Sequence, residues 1–241
     1  QHKKMKKILL SLLIITGFSV QSNAQQWLQV KGGAGLSMAQ GYEGATSGVG
    51  ILAGLGYKQQ IYKKLIMEGD ILFDSRAMLY PTNQIDGDGF TIMLAGGGSY
   101  VQIPITIQYM MPFKKKQLIP YRVSQPKSYF FLEGGPYFAY GLSVVSYNNP
   151  DVIAPYIGTA DSIVAADLTP RSIDVGITAG IGVNFNLGEN GKRLIVGARS
   201  NFGMLNIYKD DRLGKATNMA LMGYLAYDIS LTKRQHIRHP W

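Results

Sequence analysis

Apolar and polar residues alternate along much of this chain, most regularly in the segment 99–113 (SYVQIPITIQYMMPF). Because successive side chains of a strand point to opposite faces, period-two alternation predicts a strand between two different environments. The apolar face continues for about six positions, which is long enough at roughly 3.3 Å per residue for a tilted strand to cross a hydrocarbon layer. The other face carries Gln102, Pro104, Thr106 and Gln108.

Proline lacks a backbone donor and is rare in central strands, and a closed barrel has no edge strand. We therefore expect a bulge or a missing ladder bond at Pro104, with its ring pointing inward.

Eight segments repeat this alternation and are predicted strands: about 27–38, 49–59, 65–76, 99–113, 129–145, 172–187, 194–207 and 218–231. Long polar connections (39–47, 78–98, 146–171 and 208–217) follow strands one, three, five and seven, whereas short ones (near 60–64 and 188–193) follow strands two and six. Long loops on one side and short turns on the other are typical of outer-membrane barrels. The connection 112–128 is too long for this rule. The prediction is all-β: an eight-stranded antiparallel up-and-down transmembrane β-barrel.

Glycine on the polar faces indicates which side of the barrel is inside. Glycine destabilises a strand and has no polar side chain to interact with water. The outer surface of a soluble barrel would therefore carry Lys and Glu instead. A narrow eight-stranded lumen needs small residues. We expect the glycine face to point inward and the apolar face to meet lipid, with closure satisfying the backbone hydrogen bonds. The glycines are Gly33, Gly35, Gly50, Gly54, Gly56, Gly135, Gly141, Gly176, Gly180 and Gly182.

Aromatic residues cluster near both ends of the predicted strands, as two interfacial girdles would require. Ordinary core aromatics are the alternative interpretation. The predicted girdle near the short turns contains Trp27, Tyr57, Tyr62, Tyr109, Phe113, Tyr129, Phe130, Phe185 and Tyr227. The one near the long loops contains Phe73, Tyr80, Tyr100, Tyr140, Phe202 and Tyr208.

The first 24 residues have the layout of a secretory signal peptide. Lysines precede the apolar stretch 8–20, and Ser22-Asn23-Ala24 places small residues at a cleavage site. About 13 apolar residues are too few to span a bilayer. We expect a signal peptide over 1–24, a barrel over 25–231, a basic periplasmic tail over 232–241, and localisation to the cell outer membrane.

Composition narrows the functional classes. Cysteine is absent, so disulfides do not stabilise the chain, and charged residues make up only 16%. The formal charge of +9 falls to +2 when the four lysines of the leader and three basic residues of the tail are set aside. No basic stripe with interleaved aromatics occurs, which argues against a nucleic-acid partner.

Eight charged residues are predicted to face the lumen and form the candidate site. Isolated charges there would be costly, so we expect a hydrogen-bonded network that acts as a structural plug, because the side chains of an eight-stranded barrel just fill its interior. A proton or ion path and a carboxylate-pair active site are the alternatives. The residues are Lys31, Glu68, Asp70, Asp74, Arg76, Glu133, Asp174 and Arg199.

Histidine placement argues against an enzyme, because His2, His236 and His239 all lie outside the predicted strands and long loops. The segment 83–89 (NQIDGDG) resembles a calcium loop but lacks the full ligand spacing and closing Glu, so a turn is the better interpretation. No cofactor is expected. A narrow pore and a lipid-modifying enzyme remain alternative functions.

Four segments resemble the PorT-like outer-membrane β-barrel family of Bacteroidota: MEGDILFDSRA (67–77), YVQIPITIQYMMPF (100–113), YFFLEGGPYFAYGL (129–142) and IDVGITAGIGVNF (173–185). The likeness covers most of residues 26–231 and implies an eight-stranded barrel in the outer membrane. The segment 223–231 resembles the terminal-strand signal for the barrel-assembly machinery, although Thr232–Trp241 continues beyond it. Expected partners are outer-membrane lipid, that machinery, and outer-membrane or periplasmic proteins. The expected role is non-enzymatic, either structural or partner-binding through long extracellular loops.

Overall fold

The computed structural model describes residues 25–41, 46–85, 91–113, 128–145, 156–157, 164–165, 171–187, 192–207 and 215–232. These residues form ten strands. They are β1 (Gln26–Gln40), β2 (Thr46–Tyr62), β3 (Leu65–Ile85), β4 (Thr91–Pro112), β5 (Ser128–Val145), β6 (Tyr156–Ile157), β7 (Val164–Ala165), β8 (Ile173–Asn186), β9 (Arg193–Gly203) and β10 (Thr217–Ser230). No helix within these ranges has the length and apolar character needed to cross a membrane.

Eight of the strands close into one antiparallel barrel in the order β1–β10–β9–β8–β5–β4–β3–β2, while β6 and β7 pair only with each other. Each barrel strand therefore lies beside its neighbour in sequence, and the pairing of β1 with β10 closes the barrel. The prediction of an all-β, eight-stranded, up-and-down antiparallel barrel is confirmed.

The stagger of the strands sets the width of the barrel. Paired residues followed once around it, from Gln26 through Gln59, Met67, Ile107, Gly134, Ala179, Ser200 and Leu221, lead back to Leu36, ten positions farther along β1. Eight strands with this stagger tilt by about 40° and enclose a backbone radius of about 8 Å. Side chains alone can fill such an interior.

Alternation places opposite chemistry on the two faces, as predicted. All eleven charged residues of the barrel strands are buried: Lys31, Lys58, Glu68, Asp70, Asp74, Arg76, Glu133, Asp174, Arg193, Arg199 and Asp228. Large hydrophobic side chains are instead exposed on every barrel strand, including Ile71 at 64% and Leu225 at 59%. The barrel has the inverse of a soluble protein's distribution.

Three predicted girdle residues face the lumen, so the prediction was wrong for them. Trp27, Tyr100 and Tyr129 are each at most 2% exposed. They share the strand face of the buried polar residues. The outward aromatics Tyr62, Tyr109, Phe113, Phe130 and Phe185 near one end, and Phe73, Tyr140 and Phe202 near the other, are exposed.

The loops differ from prediction at the end opposite the chain termini. Strands β3 and β4 extend to Ile85 and from Thr91, so most of the predicted loop 78–98 is a paired hairpin, and its remaining connection has five residues. The first predicted loop shortens similarly, to 41–45. Polar residues did not end these strands, because the backbone pairing of a hairpin does not require alternating side chains. The segments 1–24, 86–90, 114–127 and 233–241 lie outside the described residues.

The ladder is interrupted around Pro104, whose side chain is buried as predicted. Pairing of β3 with β4 passes from Gly69–Ile105 to Leu72–Gln102, and no pair joins Asp70 to Pro104. The register does not shift across this gap, so missing ladder bonds, rather than a bulge, accommodate the proline.

Candidate functional site

The structure places all eight predicted lumen residues inside the barrel, each no more than 5% exposed. They fall into two groups at different heights. The central network surrounds Arg199 and contains Lys31, Glu68, Asp70 and Glu133; the outer cluster contains Asp74, Arg76 and Asp174 near the end opposite the chain termini.

Arg199 connects three carboxylates from two other strands of the wall. Its Nε lies 2.8 Å from Glu133 Oε1, its Nη1 3.2 Å from Asp70 Oδ2, and its Nη2 3.3 Å from Glu68 Oε1. β9 supplies the arginine, β3 supplies two of the acids and β5 supplies the third. The guanidinium therefore links strands from opposite sides of the lumen.

Two lysines supply further cationic partners for the central carboxylates. Lys31 Nζ lies 2.5 Å from Glu68 Oε1 and 2.7 Å from Asp70 Oδ2. Lys58 Nζ lies 3.2 Å from Glu68 Oε2 and 3.5 Å from Asp228 Oδ2. Because buried charges are tolerated only when paired, this arrangement explains how four carboxylates and three cations share one small volume.

Neutral donors occupy further oxygens of the same acids. Gln108 donates to Glu68 and, over 2.9 Å, to Glu133 Oε2, while Gln29 donates to Asp228 over 2.8 Å. The Tyr224 hydroxyl donates to Glu133 over 3.4 Å, and the ring of Tyr224 lies 4.9 Å from Lys31 Nζ. The network combines charge pairing, amide donors and a cation–π contact.

The outer cluster has one cation for two carboxylates. Arg76 donates through Nε to Asp74 over 2.8 Å and through Nη1 to Asp174 over 2.7 Å. Asp174 also accepts hydrogen bonds from Tyr137 and Asn218, at 2.9 and 3.0 Å. The guanidinium lies 4.9 Å from the centre of the Tyr100 ring, so this predicted girdle residue instead packs within the lumen.

The lumen ends in aromatic and apolar side chains on the side of the chain termini. Trp27, Ile66, Met110, Tyr129 and Phe131 belong to one buried cluster there. The Arg193 guanidinium lies 4.0 Å from the Trp27 ring centre and donates to the Tyr129 hydroxyl over 3.2 Å. These buried side chains pack together in the lumen below the central network.

Sequence reasoning missed three charged members of the interior: Lys58, Arg193 and Asp228. In each case, the position of the residue in the inward–outward alternation of its strand (its strand parity) indicated that the side chain faces the lumen. Lys58 follows the outward Tyr57, Asp228 lies on the polar face of the last predicted strand, and Arg193 immediately precedes a strand that was predicted to begin at 194. Lys58 and Asp228 lie within the predicted strands 49–59 and 218–231, so the alternation already placed them inward, and Arg193 required the strand at 194 to be extended by one residue.

Inward glycines accommodate the large lumen side chains. A Cβ added to Gly197 would lie 2.5 Å from Cζ of Tyr224, and one added to Gly176 would lie 2.7 Å from Cε1 of Tyr137. The lumen needs glycine at these positions because aromatic rings lie directly against the backbone. By contrast, a Cβ added to the outward Gly69 would have no atom within 4 Å.

The chemistry available to this site is ionic and hydrogen-bonding. Within the described ranges, no three His, Cys, Asp or Glu residues are arranged to hold a metal ion. Each interior carboxylate has at least one arginine, lysine or amide partner, while among the described residues Oδ1 of Asp70, Asp74 and Asp174 accepts no hydrogen bond.

Comparisons with known proteins give structural likeness alone. No protein-family model matches the chain, and no curated protein matches it. Among solved structures, Neisserial surface protein A is similar with a TM-score of 0.48 and 10% identity, over 86% of this chain and 97% of that chain. OprG of Pseudomonas aeruginosa has a TM-score of 0.44 and 10% identity, over 86% and 93%. The N-terminal β-barrel domain of Pseudomonas aeruginosa OprF has a TM-score of 0.39 and 10% identity, over 87% and 98%.

Proposed function

We propose that this chain is an integral outer-membrane β-barrel without enzymatic activity, which supports or binds partners through its long outer loops. The observation that carries the proposal is the inversion of the barrel: all eleven charged strand residues are buried, and the exposed wall is apolar. In water this apolar wall would be an aggregation surface, whereas in lipid it is the solvated face.

The length of the barrel strands also supports a membrane-spanning location. A fourteen-residue strand such as β8 rises about 35 Å along the barrel axis at a tilt of about 40°. This exceeds the apolar band of about 25 Å expected of outer-membrane barrels. Closure also leaves no unpaired barrel edge in the hydrocarbon.

The interior network acts as a structural plug in this proposal. Every predicted cation and carboxylate has a partner from another part of the wall or an adjacent position, and the apolar cluster around Trp27 and Phe131 fills the lumen below it. The filled cross-section favours a plug over the narrow pore that the sequence left open.

We further propose the finer assignments that the sequence suggested. These are a signal peptide over 1–24, a basic periplasmic tail over 232–241, membership of the PorT-like family of Bacteroidota, and insertion by the barrel-assembly machinery through a signal at 223–231. The four family-like segments and the layout of the first 24 residues support them. The mature protein should begin at Gln25, which N-terminal sequencing would test.

Heat-modifiable migration tests the barrel in its membrane. The membrane fraction, run unboiled on a gel, should show a faster band that shifts to the unfolded mobility on boiling. Recovery of the whole protein in the soluble periplasmic fraction would refute the proposal. Cross-linking in native outer membranes should then identify the loop partners.

One result would favour the alternative of a lipid-modifying enzyme: that replacement of Glu68, Asp70 or Glu133 abolishes a measured activity while leaving the heat-modifiable band intact.

A further inference from the structure

The charges outside the barrel strands divide between its two ends. The terminal end, defined by Gln26 and Ser230, also holds the connections β2–β3, β4–β5 and β8–β9. These connections and the segment after β10 contain eleven Lys or Arg and one Glu: two basic residues in 63–64, five in 113–127, one in 187–192 and three in 231–241. The segments of the opposite end contain four basic and eight acidic residues.

Three of the basic residues at the terminal end are described and exposed: Lys63, Lys64 and Lys192. We call them the basic collar. Lys64 Nζ lies 5.9 Å from the centre of the Tyr109 ring, and Tyr109 is an outward residue of β4. The lysine therefore lies against the outer wall of the barrel rather than across the mouth of the lumen.

The collar directly continues the apolar wall. Exposed Ile61 and Tyr62 precede Lys63, and exposed Leu187 lies at the other end of the turn that contains Lys192. Phe113 and Phe130 pack together at the same end, with ring centres 4.5 Å apart. Aromatic residues followed by cations mark the level where hydrocarbon gives way to headgroups.

We propose that the basic collar binds anionic phospholipid headgroups in the inner leaflet of the outer membrane. This inference rests on the proposed membrane location, in which chain termini and short turns are periplasmic. The phosphate of an anionic lipid is complementary to the lysines, and its acyl chains would lie against the adjoining apolar wall. An acidic periplasmic protein fits less well, because Lys64 lies along the lipid-facing side.

The connections of the opposite end differ from those of the terminal end in net charge, and this difference bears on the orientation in which the barrel inserts. The segments of the opposite end are net acidic, so an anionic leaflet there would be repelled. Basic side chains near an anionic membrane surface attract it cumulatively, and this attraction is screened by salt. The charge distribution thus favours the insertion orientation in which the terminal end meets anionic lipid.

Spin-label lipid selectivity tests the collar in the full-length folded barrel. The protein is refolded into phosphatidylcholine vesicles containing a trace of spin-labelled phosphatidylglycerol or spin-labelled phosphatidylcholine. The measured quantity is the ratio of their boundary association constants. The wild type should prefer phosphatidylglycerol and lose that preference in about 1 M salt. The triple variant Lys63→Gln/Lys64→Gln/Lys192→Gln should lower the ratio about twofold or more.

The matched control removes the same number of charges from the β9–β10 connection: Lys209→Gln/Arg212→Gln/Lys215→Gln. It should leave the ratio unchanged. An equal loss in both triple variants, or no loss in the collar variant, would overturn the proposal. In the second case an acidic protein becomes the better candidate for this end. Failure of the wild type to insert into vesicles would instead refute the proposed membrane function, so the two failures are distinguishable.

Discussion

At the scale of the residue, strand parity decides which side chains enter the lumen. Trp27 and Lys58 lie one position from outward residues, yet both are buried. Their burial requires space and partners: Arg193 for Trp27, and Glu68 and Asp228 for Lys58. The same parity explains why aromatic chemistry alone failed to assign Tyr100 and Tyr129 correctly.

Arg199 holds the central network together, so its loss should be costly. Arg199→Met leaves Glu133, Asp70 and Glu68 with fewer partners and should lower the free energy of unfolding by about 3–5 kcal/mol. Urea unfolding of the barrel in lipid vesicles would measure this. The exposed Lys215→Met serves as the control and should be neutral. A loss below about 1 kcal/mol for Arg199→Met would contradict an energetically coupled network.

Glycine at position 197 is predicted to be essential for packing. Gly197→Ala forces its Cβ against the Tyr224 ring and should destabilise the barrel by about 1–3 kcal/mol. Gly69→Ala is the matched control, because an added Cβ there meets no atom within 4 Å and would project outward. Equilibrium unfolding of both variants in vesicles compares them. Equal effects would show that strand propensity, rather than lumen packing, selects glycine at 197.

At the scale of the element, β4 combines two properties that its sequence pattern predicted and one that it did not. Its outward face is apolar and Pro104 is buried and interrupts the ladder, as expected. Its length was underestimated, because the strand begins at Thr91 and pairs with β3 beyond the neighbouring strands. Alternation reveals which residues face outward; it does not mark where a hairpin ends.

An arginine series along β4 should report depth in the membrane. Ile105→Arg lies near the middle of the apolar wall and should cost about 2–4 kcal/mol of unfolding free energy, whereas Met111→Arg near the terminal end should cost about 0–1 kcal/mol. Unfolding titrations in vesicles measure both. A flat series would indicate that this face does not cross hydrocarbon.

At the scale of the whole molecule, the barrel is closed laterally by β1–β10 pairing and filled along its axis by side chains. Charges in the lumen are paired, and the described turns of the terminal end carry Lys63, Lys64 and Lys192. By sequence, the connections of the terminal end are net basic and those of the opposite end are net acidic. The order of the charged residues along the sequence does not show this division between the two ends, because consecutive connections lie at alternating ends of the barrel.

A filled lumen should not conduct ions. Planar bilayers containing the refolded wild type should show no steady unitary current, with a porin measured in parallel as the positive control. The physical reason is the aromatic and aliphatic cluster around Trp27, Tyr129 and Phe131 beneath the ion pairs. A stable unitary current that changes in Arg199→Met would favour the pore alternative and identify the central network as its constriction.

The sequence by itself determined the number of barrel strands, their antiparallel order and the inward direction of eight charged residues. It could do so because a two-residue period is local and a barrel of consecutive strands adds no long-range ambiguity. It could not determine which carboxylate meets which cation, because Arg199 and Glu68 are brought together only by the ten-residue stagger across the lumen.

Only the tertiary structure decided that Trp27, Tyr100 and Tyr129 lie in the interior, because that depends on the cations that meet them across the closed lumen: Arg193 for Trp27 and Tyr129, and Arg76 for Tyr100. It also decided that dispersed lysines form one basic end, because alternate connections return to the same side of the barrel. Local alternation therefore specifies the wall, and closure of that wall specifies the contents of the lumen and the charge of each end.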